Sequence, residues 1–119
     1  MNKIEFRDLV KSTFIEILEL TKTKGDEYTV QDADQLANFN RLSKELCLPR
    51  MKILSVYLSK HMDGIKSYVN TGMEYSSEPV TGRIDDAILY LILLKAMVIE
   101  DKSNEQADVI YKFAVGEPE

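Results

Sequence analysis

The sequence predicts an all-α protein: four main helices in a bundle, followed by a short C-terminal helix. Three observations predict it. Apolar residues recur at i, i+3, i+4, i+7 along most of the chain. Tyr75–Val80 is the one extended-looking segment. Turn residues fall between the periodic stretches, at Gly25, Pro49, Asn70–Gly82 and Gly116–Pro118.

The first helix is expected over about residues 3–23, with Phe6, Leu9, Val10, Phe14, Ile17 and Leu20 or Thr21 on one face and Gly25 as its stop. Lys24–Thr29 reads as a loop. The second helix starts at Thr29, where Thr29-x-x-Asp32 forms a weak capping box, and turns Val30, Ala33, Leu36, Ala37, Leu42 and Leu46 inward. Pro49 suits the first position of a third helix over about residues 49–70, striped by Leu54, Leu58, Met62 or His61, Ile65 and Val69. Gly64 lies inside that helix at a cost of about 1 kcal/mol against Ala, which marks a close backbone approach. Asn70–Gly82 is the longest connection. The fourth helix covers about residues 80–101 and is apolar on nearly all sides from Ala87 to Ile99, as in the central helix of a bundle or one with a face in an oligomer interface. A fifth, near residues 104–115, presents Ala107, Ile110, Phe113 and Ala114.

Composition narrows the function. Hydrophobic residues at 45 % and charged residues at 29 % are ordinary for a single globular domain spanning residues 1–119. A formal charge of −5 opposes general nucleic-acid binding, which needs a basic face, but leaves room for a local basic pocket. Cys47 is the single cysteine, so neither a disulfide framework nor a cysteine zinc cluster is expected. The first residues carry charges every few positions and lack the apolar run of a signal peptide. Ala87–Leu94 is too short to cross a membrane. The expectation is a cytoplasmic chain.

Several side chains could carry chemistry. Asp85 and Asp86 open the fourth helix, where acids either favour the helix dipole or project into a bundle mouth to hold Mg²⁺. Asp34 and Asn38, four apart, could add oxygen ligands or form a solvated face. Glu16-x-x-Glu19 and Glu105-x-x-Asp108 spell the two halves of an E-x-x-E…E-x-x-D metal pattern, but most of the chain separates them. His61, the sole histidine, sits with Lys60 three residues before Gly64; it is a core residue or, with the glycine gap, a place for a phosphate or a base. Arg83 offers a planar fork to phosphate beside a helix N-terminus, or pairs with a neighbouring Asp. Tyr28 and Tyr75 lie in irregular segments and could stack on a base or close over the core. There is no P-loop, no nucleophile elbow, no H-E-x-x-H and no Rossmann fingerprint.

Two blocks, Lys24-Gly25-Asp26-Glu27-Tyr28-Thr29…Asp34-Gln35-Leu36-Ala37-Asn38-Phe39 and Lys60-His61…Ser77-Glu78-Pro79-Val80-Thr81-Gly82-Arg83-Ile84-Asp85-Asp86-Ala87-Ile88-Leu89-Tyr90-Leu91, resemble a family of small phage and prophage proteins. That family is distantly similar to the MazG-like all-α nucleotide pyrophosphohydrolases and to nucleotide-modification-associated phage domains. The resemblance implies that Asp86 matches a Mg²⁺ ligand of MazG-like enzymes, with Glu16 and Glu19 standing for the first acidic pair. Arg83 stands where those enzymes carry Glu, three residues before the Asp. A cation there weakens metal binding and favours phosphate.

The leading expectation is therefore a phage-type nucleotide-binding protein, a sponge that sequesters a host signalling nucleotide in an anti-defence role inside an infected cell. Arg83, Lys60, His61, Arg41 and Asn38 would face the ligand, with Tyr28 or Tyr75 on the base and no cofactor required. The alternative is a Mg²⁺-dependent MazG-like nucleoside triphosphate pyrophosphohydrolase with Asp86, Asp85, Glu16 and Glu19 as ligands. A third reading is an inhibitor of a host enzyme, docking through the fourth helix or the 70–82 loop. The apolar fourth helix also predicts a homo-oligomer.

Overall fold

The computed structural model describes residues 1–29 and 34–116, the side chains of residues 23–29 excepted. The described residues form four helices and no strand: α1 (Lys3–Thr29), α2 (Ala37–Leu46), α3 (Arg50–Thr71) and α4 (Val80–Val115). None is long and apolar enough to cross a membrane.

Asn2 caps α1 reciprocally. Its Oδ1 accepts from the Glu5 N–H at 2.8 Å, and the Glu5 carboxylate accepts from the Asn2 N–H at 3.3 Å. The helix does not stop at Gly25 but runs on to Thr29. One interior glycine costs only about 1 kcal/mol, and the expected Lys24–Thr29 loop contains no proline to end the helix. The expected capping box reaches Asp32, outside the described residues. The second helix starts later than expected: Asp34 forms a turn ahead of it, accepting from the Leu36 N–H at 2.9 Å and the Asn40 amide at 3.1 Å, and α2 begins at Ala37. Asp34 and Asn38 therefore do not share one helix face.

Cys47, at a φ of 54°, ends α2 in the left-handed region. Pro49 then precedes α3 as its N-cap. Gly72, at a φ of 69°, closes α3 with its N–H on the Tyr68 carbonyl at 2.7 Å. Residues 72–79 lead to α4, whose Val80 N–H donates to the Glu74 carboxylate at 3.1 Å. That carboxylate takes the first-turn donor the sequence offers to an external anion.

The separate C-terminal helix is not there: α4 continues through Asp101–Asn104 to Val115. Those polar residues are modest helix formers, costing tenths of a kcal/mol each rather than the roughly 3 kcal/mol of a proline. At ~1.5 Å per residue, its 36 residues account for the long axis of a body measuring 60 × 37 × 31 Å.

The core lies where α2, α3 and the middle of α4 meet. Leu36, Phe39, Ile53, Leu54 and Met97 are buried together, ringed by Leu42, Met51, Tyr90, Leu93, Leu94 and Ala96. α1 lies against α4 and α2 and buries Ile17. Arg50 ties the assembly. Its guanidinium donates to Asn40 of α2 at 3.0 Å and, on α4, to Glu100 at 2.9 Å, Asp101 at 2.8 Å and the Met97 carbonyl at 3.4 Å. Burial opposes the charge on Arg50, yet the bonds to Glu100 and Asp101 outweigh it and strengthen the guanidinium's hold on its proton.

α4 is less enclosed than an all-round apolar helix predicts. Leu91, Ile92 and Ile99 are exposed, as is every residue from Lys102 to Gly116. The first half of α1 is likewise open, with Ile4, Phe6, Leu9 and Phe14 facing outward.

Candidate functional site

Carboxylates from two helices and a loop converge on one cleft. The second turn of α4 brings Asp85 and Asp86 against the middle of α1, which contributes Glu16 and Glu19 at i, i+3 spacing. Glu78, two residues before α4, closes one side. With Ile15, Leu20 and Gly82 these five acids line a cleft of about 440 Å³, and among the described residues no Lys or Arg lines it. Glu19 has Lys22 at 3.5 Å on the solvent side.

The electrostatics follow. The Asp85 carboxyl is pushed above the ordinary carboxylate range, first by burial, then by a hydrogen bond with Glu16 and by the negative charges of Glu16 and Asp86. The fold thus holds together charges that repel, at the expense of stability.

Beside the cleft, on the α3 side, stands His61. Tyr90 packs over its ring at 5.3 Å between centroids, and Tyr90 stacks in turn on Tyr57 at 6.2 Å, with Phe39 edge-on to both. This aromatic block fixes the imidazole so that Nδ1 faces Asp86 Oδ2 at 3.8 Å. Nδ1 is buried and has no hydrogen-bond partner among the described residues. Asp86 is itself 5 % exposed. His61, Glu78 and Asp86 each bring one ligand atom to a common point, all within 4.8 Å of one another. These are donors that suit a dication.

One helical turn along, Arg83 lies on Gly64, and its Nη2 donates to Ser76 Oγ at 3.0 Å. The glycine gap expected to receive a phosphate or a base is filled by this side chain, and Arg83 pairs with Ser76 rather than with a neighbouring Asp. A smaller hollow of about 140 Å³ continues from here between Tyr68, Tyr75 and Glu74.

The structure therefore divides the expected site residues. Glu16, Glu19, Asp85 and Asp86 come together, with His61 adjoining them and Arg83 one turn away. Lys60 is solvent-exposed on α3. Arg41 and Asn38 pair with each other at 2.6 Å on α2, and Arg41 also holds Glu45 at 3.1 Å. Tyr75 is exposed, its hydroxyl near Met73 Sδ at 3.7 Å. The Tyr28 side chain lies outside the described residues. Glu105 and Asp108 sit on the exposed end of α4, apart from the cleft. Sequence reasoning missed Glu78, whose one signal is its place two residues before the helix that carries Asp85 and Asp86. It also missed Arg50, which only the interhelical packing reveals.

No protein-family model, curated protein or solved structure matches this chain.

Proposed function

We propose that this protein handles a phosphorylated nucleotide through a divalent cation held at the acidic cleft, in the manner of a MazG-like pyrophosphohydrolase. The observation that carries the reading is the convergence of Glu16, Glu19, Asp85 and Asp86 on one cleft, with Asp85 driven toward protonation by burial and then by its acidic neighbours. The donor set fits Mg²⁺, a hard ion that takes carboxylate oxygens and keeps several waters. Bound there, such an ion lowers the pKa of a coordinated water and neutralises phosphate charge. The α1 pair would grip from one side and the α4 pair from the other, while Arg83 stands one turn away as a cation for a phosphate oxygen. This geometry favours the cation-dependent reading over a pocket of Arg83, Lys60, His61 and Arg41, because Lys60 is solvent-exposed and Arg41 is engaged with Asn38 and Glu45.

The test is incubation with nucleoside triphosphates and cyclic dinucleotides plus Mg²⁺, followed by chromatography. Monophosphate and pyrophosphate, lost in Asp86→Asn, support the reading. Nucleotide that stays bound and is recovered intact from denatured protein would instead establish sequestration without turnover.

The chain would act as a homo-oligomer. Apolar side chains are open on the first half of α1 (Ile4, Phe6, Leu9, Phe14) and on the last turns of α4 (Val109, Ile110, Phe113). Burying each stabilises an assembly by about 1.5–3 kcal/mol.

A further inference from the structure

We propose that His61, Glu78 and Asp86 form a second cation site, one that takes a transition-metal dication of the Zn²⁺ type rather than Mg²⁺. The site goes beyond the Mg²⁺ reading of the α1–α4 carboxylates and stands whether or not that cleft turns over nucleotide.

The argument starts with His61 Nδ1. A buried ring nitrogen without a partner costs free energy. The fold could satisfy it with a hydroxyl or a carbonyl, but in this structure it turns the atom toward Asp86 Oδ2 and leaves 3.8 Å between them. That gap is too long for a hydrogen bond. It lies a few tenths of an ångström beyond the span of two ligands on one tetrahedral ion, roughly 3.3–3.4 Å for bonds of about 2.0–2.1 Å. Glu78 completes a set whose ligand atoms all lie within 4.8 Å. Tetrahedral bonds of about 2.0–2.2 Å set ligand atoms roughly 3.4 Å apart, so closing the set onto one ion draws its atoms together by up to about 1.4 Å, a movement that falls mainly on Glu78, a residue of the α3–α4 connection.

Donor chemistry selects the ion. One imidazole and two carboxylates suit Zn²⁺, Mn²⁺ or Co²⁺, whereas Mg²⁺ and Ca²⁺ take oxygen alone. The supports around the first ligands agree. Tyr90, Tyr57 and Phe39 clamp the imidazole ring, and α4 holds Asp86 in a buried position. Such supporting contacts tune affinity by about 10–100-fold. Asp86 belongs to both groups, so the two sites adjoin.

Because His61 is the only histidine, the experiment is direct. ¹⁵N-labelled full-length protein is titrated with Zn²⁺ and, separately, with Mg²⁺, following the imidazole nitrogens by NMR. Equimolar Zn²⁺ should move the Nδ1 resonance, and Mg²⁺ at the same concentration should not. Calorimetry should show Zn²⁺ affinity falling about 100-fold in His61→Ala and at least 10-fold in Glu78→Gln, and changing less than about 3-fold in Glu16→Gln, which removes a ligand of the Mg²⁺ reading alone. Circular dichroism confirms that each variant is helical, and His61→Gln replaces His61→Ala if the latter unfolds. An Nδ1 resonance unmoved by Zn²⁺, or equal Zn²⁺ affinity with and without His61, overturns the proposal. Mg²⁺-dependent turnover that survives such a result leaves the function proposed above intact.

Discussion

Arg83 occupies the space that a side chain at residue 64 would take. A Cβ built on Gly64 would stand 2.7 Å from Arg83 Cζ and 2.8 Å from Cδ. The guanidinium laid along this bare stretch of α3 reaches Ser76 at 3.0 Å and so ties the α3–α4 connection to the helix pair. Gly64→Ala should evict it. Alanine gains about 1 kcal/mol of helix propensity, which offsets the displaced contacts, so global stability should move by less than about 1 kcal/mol. The connection should loosen instead. Amide exchange at residues 73–79 is expected to quicken in Gly64→Ala and equally in Arg83→Ala, and the double variant should be no worse than Arg83→Ala. Unchanged exchange in both single variants would deny Arg83 this role.

Arg50 gives the largest expected stability effect. It joins α2 and α4 at the start of α3 through four acceptors, and its side chain is 15 % exposed while Glu100 and Asp101 are half-exposed. Water screens the acids, so much of the loss on removal comes from Asn40 and the Met97 carbonyl at the buried end. Arg50→Ala should cost about 2–3 kcal/mol in urea unfolding. Arg50→Lys should recover less than half of that, because an ammonium cannot fork between the helices.

Asp85 sets a pH dependence of definite sign. Its carboxyl holds a proton to higher pH folded than unfolded. The folded state therefore binds more protons, and stability falls as pH rises. Asp85's contribution is fully present below the ordinary aspartate pKa and is lost through the raised one. Asp85→Asn should melt at a higher temperature than the parent at neutral pH, and the two curves should converge in acid. Mg²⁺ should raise the parent's melting temperature more than the variant's. A variant less stable than the parent at neutral pH would contradict the origin assigned to the shift.

What could be read without coordinates follows from what is local. Helices at α1 and α3 and Pro49 ahead of α3 are set within a few turns of chain and are present, whereas the apolar stripe of α1 is fully buried only at Ile17 and the gap at Gly64 takes the Arg83 side chain rather than a backbone. Two boundaries failed where the choice between helix and loop is a matter of tenths of a kcal/mol to about 1 kcal/mol, at Gly25 and at Asp101–Asn104; at both the preceding helix simply continues. The site failed differently. Four of its acids were recognised, but only the antiparallel register of α3 and α4 puts His61 beside Asp86 and Arg83 on Gly64. Periodicity within one helix carries no information about that register. The same limit hid Arg50, whose partners Glu100 and Asp101 lie some fifty residues away.

The exposed end of α4 leads to the last expectation. From Lys102 onward the helix touches nothing that shields it, yet it carries Val109, Ile110 and Phe113, the last 89 % exposed. A helical stretch of this length is marginal in water when it stands alone, so a neighbour covering it would strengthen its order. The first half of α1 leans basic, with Lys3, Arg7 and Lys11 against Glu5 and Asp8, whereas the end of α4 leans acidic, with Asp101, Glu105 and Asp108 against Lys102 and Lys112. A second copy joining these two faces buries the apolar side chains and pairs the charges. Phe113→Asp should shift sedimentation toward the monomer and weaken association at least 10-fold, and Phe6→Asp should do the same from the other face. Far-ultraviolet circular dichroism should show helix lost with the assembly as α4 frays. A parent protein that sediments as a monomer at all concentrations, with full helix content, would show that α4 supports its own end and that these faces stay open to water.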